Sequence, residues 1–151
     1  MKSTSDLQKI VLMAARDYTV SSVLFRNATG RKLGLNVTDS ECLSLLTIKG
    51  VSTPTELARY TGLTTGSTTA MLDRLEKIGF IVRKPNPNDR RGVLVEVSQR
   101  YREMAGPLVA GIQKMNGELL ASYSEEELTV IADFLTRFKD NVVKQTENIE
   151  Q

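Results

Sequence analysis

Apolar residues along this chain recur mainly at intervals of three and four, the period of a helix with one inward face. From about Ser5 to Lys32 the stripe is Leu7, Ile10, Val11, Ala14, Tyr18 and Phe25. Thr38 and Glu41 have capping-box spacing and open a second helix, through Cys42, Leu43, Leu45, Leu46 and Ile48 to Gly50. A third starts at Thr53-Pro54-Thr55-Glu56, where Thr53 suits the cap, Pro54 the first turn and Glu56 the return hydrogen bond. Leu57 and Ala58 face inward, and Thr61-Gly62 makes a tight turn into a fourth helix from about Thr64 to Ile78. That helix carries Thr68, Met71, Leu72, Leu75 and Ile78 on one face, and Gly79 stands where a left-handed residue ends it. Phe80 to Lys84 and Val93 to Val97 then read as two strands around a turn-rich tip, Pro85 to Gly92. Ser98 caps a long helix bearing Met104, Leu108, Val109, Ile112, Met115 and Leu119, in which Gly106-Pro107 predicts a kink or local irregularity. Ser124 and Glu127 open the last helix, with Leu128, Ile131, Leu135, Phe138 and Val142.

The predicted class is mainly α with a small β-hairpin wing. Residues 36–98 form a winged helix-turn-helix, and residues 1–35 and 99–151 form helical arms around it within one chain. A hairpin or a helix pair alone is a common structural unit. A helix-turn-helix followed at once by a hairpin with paired cations at its tip is far more specific, and it points to duplex DNA. The arms carry more apolar surface than the central motif needs. Part of each stripe covers the chain's own core. A symmetric dimer accounts for the remainder and sets two recognition helices on one side of the assembly. Leu7, Ile10, Val11, Leu128, Ile131, Leu135 and Phe138 are the candidate dimerisation residues.

Composition changes this picture little; the distribution of charge changes it more. The chain has 151 residues, 40% hydrophobic and 25% charged, which is a globular balance. A net charge of +2 does not by itself imply nucleic acid. From Arg74 to Arg102, however, eight Lys/Arg stand against three acids, whereas from Glu118 to Gln151 eight acids stand against three Lys/Arg. The basic stretch coincides with the recognition helix and wing, where phosphates would lie, and the acidic end is expected to point away from DNA. The start, Met-Lys-Ser-Thr-Ser-Asp, has no apolar signal core behind it, and no apolar run approaches a membrane span, so a cytoplasmic protein without membrane partners is expected.

One cysteine excludes an intramolecular disulfide, and without histidine a metal site would need carboxylates alone. No metal or cofactor is expected. An enzyme would need a nucleophile with a partner base or convergent acids. Cys42 lies in an apolar helix, and Glu125-Glu126-Glu127 suits a helix N-terminus better than an acid pair. Two non-enzymatic alternatives remain: a winged-helix protein-interaction module, and an architectural protein that binds DNA without sequence preference.

Asp73-Arg74-Leu75-Glu76-Lys77, Gly79-Phe80-Ile81, Asp89-Arg90-Arg91 and Val97-Ser98, in that order and spacing, resemble the MarR family of bacterial transcription regulators over nearly the whole chain. The resemblance implies a dimeric winged helix whose first and last helices interlock, a pseudo-palindromic operator in double-stranded DNA, repression, and release by a small, often phenolic, molecule. By the same resemblance the helix from Thr64 enters the major groove, Arg90 reaches the minor groove, and Asp89 holds the wing arginine. The candidate DNA-binding residues are Thr64, Thr65, Gly66, Ser67, Thr69, Arg74, Lys84, Asn88, Arg90 and Arg91, with Asp89 structuring the wing. Ser67-Thr68-Thr69-Ala70 departs from members with a basic residue near the last position, so hydroxyl and methyl contacts are expected to read the bases. Tyr101 stands where a glycine is common. Cys42 lies outside the first helix, where peroxide-sensing members keep their thiol, and is expected to pack in the core. Tyr18, Phe25 and Met115 could line an effector pocket, and core packing is the expectation for each.

Overall fold

Helix boundaries follow local capping chemistry closely. A computed structural model describes residues 3–150 as α1 (Thr4–Lys32), α2 (Val37–Lys49), α3 (Pro54–Thr61), α4 (Thr65–Lys77), β1 (Ile81–Asn86), β2 (Asp89–Val97), α5 (Gln99–Leu120) and α6 (Glu125–Glu150). The Thr53–Glu56 box is closed in both directions: the Thr53 N–H donates to Glu56 Oε2 at 2.7 Å, and the Glu56 N–H to Thr53 Oγ1 at 3.2 Å. Those bonds hold the Glu56 carboxyl below its ordinary range, aided by the charges of Arg59 and Lys49. Ser124 and Glu127 make the same exchange before α6. The box expected at Thr38 and Glu41 is not the one used. Asn36 is the cap of α2 and accepts from the Asp39 N–H at 2.8 Å, so the helix starts two residues earlier than a Thr38 cap would have it. Asparagine is as good a cap as any residue, and with it Asp39 falls in the first turn of α2.

The main core is built entirely from residues 35–97: Leu35, Cys42, Leu43, Leu45, Leu46, Leu57, Met71, Leu72, Leu75, Phe80, Ile81, Val95 and Val97. Each fully buried leucine here contributes about 1.5–3 kcal/mol of burial. Tyr101 packs against the edge of this cluster, with its ring 5.5 Å from Phe80, which accounts for a large residue at that position. Ile78, expected on the inward face of α4, is instead exposed, because the helix stops at Lys77 and Gly79 (φ 77°) turns the chain toward the wing. Ser98 fastens that corner: its hydroxyl donates to the Gly79 carbonyl at 2.6 Å and accepts the Tyr101 N–H at 3.1 Å.

Two compact units are distinguished, one reaching Val109 and one starting at Ala110, with α5 running through the boundary. The helix continues through Gly106-Pro107, where the proline removes one backbone donor without ending it. In the second unit α6 has no buried residue along its 26 positions, and the apolar side chains of its stripe are exposed or half-buried. In the first unit Leu7, Ile10 and Val11 of α1 are likewise exposed. Among the described residues no helix is long and apolar enough to cross a membrane.

Candidate nucleic-acid interface

α4 is held by its inner face and open on its outer one. Thr68, Met71, Leu72 and Leu75 are buried, and the Thr68 hydroxyl donates back to the Thr64 carbonyl at 2.9 Å, which spares the core an unmet polar group. Thr64 is the N-cap and accepts from the Ser67 N–H at 3.3 Å; its hydroxyl donates to Ser67 Oγ at 3.0 Å. Thr65, Gly66, Ser67 and Thr69 are exposed. The Thr69 hydroxyl already donates to the Thr65 carbonyl at 3.0 Å, leaving its lone pairs and methyl outward. The Ser67 hydroxyl accepts from Thr64 and keeps its own hydrogen to donate. A Cβ at Gly66 would meet nothing within 4 Å, so the backbone there is open to close approach from outside.

The turn before α4 requires Gly62, which has φ 68° and closes α3 with its N–H on the Ala58 carbonyl. The turn therefore forms as the Thr61-Gly62 pair suggests.

The wing differs from the eight-residue tip expected from Pro85 to Gly92. β1 and β2 pair in antiparallel register from Ile81↔Val97 to Pro85↔Val93, and pairing resumes at Asn86↔Asp89. Only Pro87 and Asn88 lie between the strands, and Arg90, Arg91 and Gly92 bulge from β2 opposite the step from Pro85 to Asn86. Pro85 has no N–H for the ladder, so an irregularity there is expected. Two short side chains shape the bulge: Asn86 Oδ1 accepts the Asn88 N–H at 3.0 Å, and Asp89 Oδ1 accepts the Arg91 N–H at 3.0 Å. Asp89 thus acts on the arginine pair through backbone. A Cβ at Gly92 would come within 3.0 Å of Asp89 Oδ2 and 3.1 Å of Asn86 Nδ2. Arg90 and Arg91 are both exposed. β2 carries one further isolated antiparallel bridge, Val95 to Ser52, with N–H···O distances of 3.0 and 2.8 Å.

The cations divide into paired and unpaired. Arg74, expected at phosphates, has a different partner: its Nε and Nη2 donate to the buried Asp39 carboxylate at 3.0 and 2.5 Å, joining α4 to α2. That bond pushes the guanidinium still higher in pKa, so it is a permanent charge. Lys84, also expected on DNA, pairs with Glu96 across the hairpin. Arg83, not among the expected site residues, donates from Nη1 to Glu76 at 2.6 Å and from Nη2 to Asp73 at 2.7 Å. Among the described residues Arg90, Arg91 and Lys77 have no ion-pair partner. The sequence bears no sign of which cations are paired, because pairing joins residues up to 35 positions apart.

A separate cavity of about 290 Å³ lies in the first unit, lined by Phe25, Arg26, Ser44, Ile48, Tyr101 and Val109 among others. The Arg26 Nε is buried there without a hydrogen-bond partner, while its Nη2 sits 3.6 Å from Glu41. Core packing was expected for Tyr18, Phe25 and Met115. Tyr18 and Met115 are instead well exposed, and Phe25, itself 42% exposed, is on the cavity wall. Burial drives the Cys42 thiol up to about 12, with the Asp39 charge adding to it.

A sequence model of the MarR family matches residues 35–93. A curated HTH-type transcriptional regulator of Bacillus subtilis, YcgE, is 35% identical over 149 residues, 99% of this chain and 97% of its own. The multiple antibiotic resistance protein MarR of Escherichia coli is 37% identical over 143 residues, 91% of this chain and 98% of its own. In three dimensions the chain is similar to a transcriptional regulator from Thermotoga maritima, with TM-score 0.63 at 19% identity, covering 92% of this chain and 98% of that one. It is also similar to a mutant E. coli MarR complexed with operator DNA, with TM-score 0.52 at 25% identity, covering 86% and 95%. The geometry of the helix-turn-helix and wing and these likenesses agree, and the chain belongs to the MarR family of HTH-type transcriptional regulators.

Proposed function

We propose that the protein is a homodimeric repressor of the cytoplasm that occupies a pseudo-palindromic operator and leaves it when a small aromatic molecule binds. The observation that carries the DNA contacts is the division of the cations. The fold uses Arg74, Arg83 and Lys84 in ion pairs and, among the described residues, leaves Arg90 and Arg91 exposed and unpaired on the bulge of the wing. In this reading the N-terminal turns of α4 enter the major groove, where Thr65, Ser67 and Thr69 offer hydroxyl and methyl contacts and Gly66 admits the backbone. Thr64 fixes the helix start, Asn88 and Arg91 meet phosphate, Arg90 reaches the minor groove, and Asp89 sets the bulge.

The dimer reading rests on α1 and α6, whose apolar rows are uncovered in each unit by itself. A second copy would cover them and set two α4 helices about 34–36 Å apart, one DNA turn. The effector reading rests on the cavity beside Phe25 and Tyr101, whose apolar walls and unpartnered Arg26 Nε suit an aromatic ring bearing an acidic group. Such a ligand shifts the equilibrium only by its preference for the non-binding spacing.

The test is a gel-shift titration on the DNA upstream of the protein's own gene at several salt concentrations. Arg90→Ala is expected to weaken operator binding by about 1–3 kcal/mol, with folding unchanged by more than about 0.5 kcal/mol. Equal affinity for operator and random fragments would leave an architectural protein. Unchanged affinity in Arg90→Ala would remove the wing from the contact set.

A further inference from the structure

Arg83 is the third residue of β1, opposite Val95 in the ladder, and its guanidinium spans two carboxylates of the recognition helix. Asp73 and Glu76 are three apart on α4 and so lie side by side on one helix face. The planar fork of an arginine fits such a pair, because its N–H groups diverge toward two acceptors at once. Arg83 is three-quarters covered, and the acids are more open. Beyond Arg83 the hairpin runs on to the bulge with Arg90 and Arg91, and among the described residues no other side-chain hydrogen bond or ion pair joins the hairpin to α4. Lys84, the next residue, takes its partner within the hairpin.

We propose that Arg83 is a positioning residue for DNA binding: by gripping Asp73 and Glu76 it sets the angle between wing and recognition helix, so that Arg90 arrives at the minor groove when α4 is seated in the major groove. The inference rests on the DNA-contact reading above. Core packing of Ile81, Val95 and Val97 and the Ser52–Val95 bridge hold the ribbon up to the level of Arg83, but they tie it to the core and to Ser52 and leave the side-chain link to α4 to Arg83. The free part beyond has little stiffness of its own, and its tip magnifies any rotation at that level. Without the grip, the ordering of the wing is deferred to the moment of binding and subtracts from affinity.

Two other accounts of the same contacts make opposite predictions. If Arg83 merely masks two acids near phosphate, removing the acids should tighten DNA binding. If the pairs are idle surface contacts, removing them should change nothing. The experiment uses the full-length protein and a single operator fragment. Asp73→Asn/Glu76→Gln takes away two negative charges, yet positioning predicts weaker binding, by at least about fivefold. Arg83→Gln should weaken it similarly, and Arg83→Lys should recover part of the loss, since one ammonium reaches one carboxylate.

Hydroxyl-radical footprinting separates positioning from general damage. The minor-groove protection of the wing from hydroxyl radical should fade in Asp73→Asn/Glu76→Gln, while protection of guanine N7 in the major groove from dimethyl sulfate persists. Arg90→Ala should cost much less in that background than in the wild type, because a wing already misplaced has less to lose. Tighter or unchanged binding by Asp73→Asn/Glu76→Gln overturns the proposal, as does an undiminished effect of Arg90→Ala. Should the wild type itself show no minor-groove protection, the wing-contact reading falls and the proposal with it. Wing protection present in the wild type and retained in the variant defeats the proposal alone. Far-UV circular dichroism and the urea midpoint of each variant verify that the fold persists.

Discussion

Replacing both Leu135 and Phe138 with aspartate separates a helix that needs a partner from one that does not. α6 carries Leu128, Ile131, Leu135, Phe138 and Val142 along 26 residues, none of them buried, and Leu135 is 56% exposed. In a lone protomer an aspartate there would stand in solvent and change stability by no more than about 0.5 kcal/mol. In a twofold dimer each substitution occurs twice. Four side chains then lose about 1.5–3 kcal/mol of burial each, or about 6–12 kcal/mol together, before any cost of drawing carboxylates out of water. At about 1.4 kcal/mol per tenfold, the dissociation constant should rise by at least about four orders of magnitude. Sedimentation velocity reads this directly: the wild type should run as a dimer at micromolar concentration, and the variant as a monomer. A folded wild-type monomer, or a variant that stays dimeric, would refute the reasoning. If the variant also loses its helical signal, the milder Leu135→Ala keeps the test open. Its urea midpoint should fall as the protein is diluted, since a dimer's stability depends on its concentration.

Three further outcomes are expected. Ser67→Ala should change which base is preferred at its position in the half-site, whereas Lys77→Ala should weaken all DNA alike and flatten the salt dependence; selection from a randomised operator library checks the first and salt titration the second. Gly30→Ala should destabilise the protein by about 1–3 kcal/mol. The new Cβ would lie 2.1 Å from Ser40 Oγ and 3.2 Å from Ser40 Cβ where α1 crosses α2, and Ser40→Ala in the same chain should restore part of the loss on urea titration. Cys42 ionises at about 12 in the folded protein against an ordinary 9.0, so its contribution is intact below pH 9 and lost as pH rises from 9 toward 12. The stability advantage of wild type over Cys42→Ala should therefore shrink through that window, and peroxide at neutral pH should leave an operator complex intact. Release by peroxide from the wild type but not from Cys42→Ser would contradict this.

The sequence by itself determined what is decided within a few residues. Thr53-Pro54-Thr55-Glu56 fixed the start of α3, Gly62 its end, and the three-and-four spacing of Met71, Leu72 and Leu75 the inner face of α4, because caps, left-handed glycines and amphipathic rows are local chemistry. The order helix, turn, helix, hairpin was legible for the same reason, and with it the family. Local rules went astray where two good choices competed: Asn36 and Thr38 could both cap α2, and Asp39's pairing with Arg74 accompanies the choice of Asn36. Pro, Asn and Gly between 85 and 92 predict a turn-rich tip, yet β2 begins at Asp89, since cross-strand pairing on both sides of the bulge outweighs those propensities. Only the tertiary structure decided which charges are free. Arg74, Arg83, Lys84, Arg90 and Arg91 are indistinguishable as cations in a sequence, and among the described residues the folded chain brings an ion-pair partner to the first three and none to the last two. Exposure of the apolar rows on α1 and α6 was likewise undecided, because periodicity marks the face that wants cover without saying whether the same chain or a second copy supplies it.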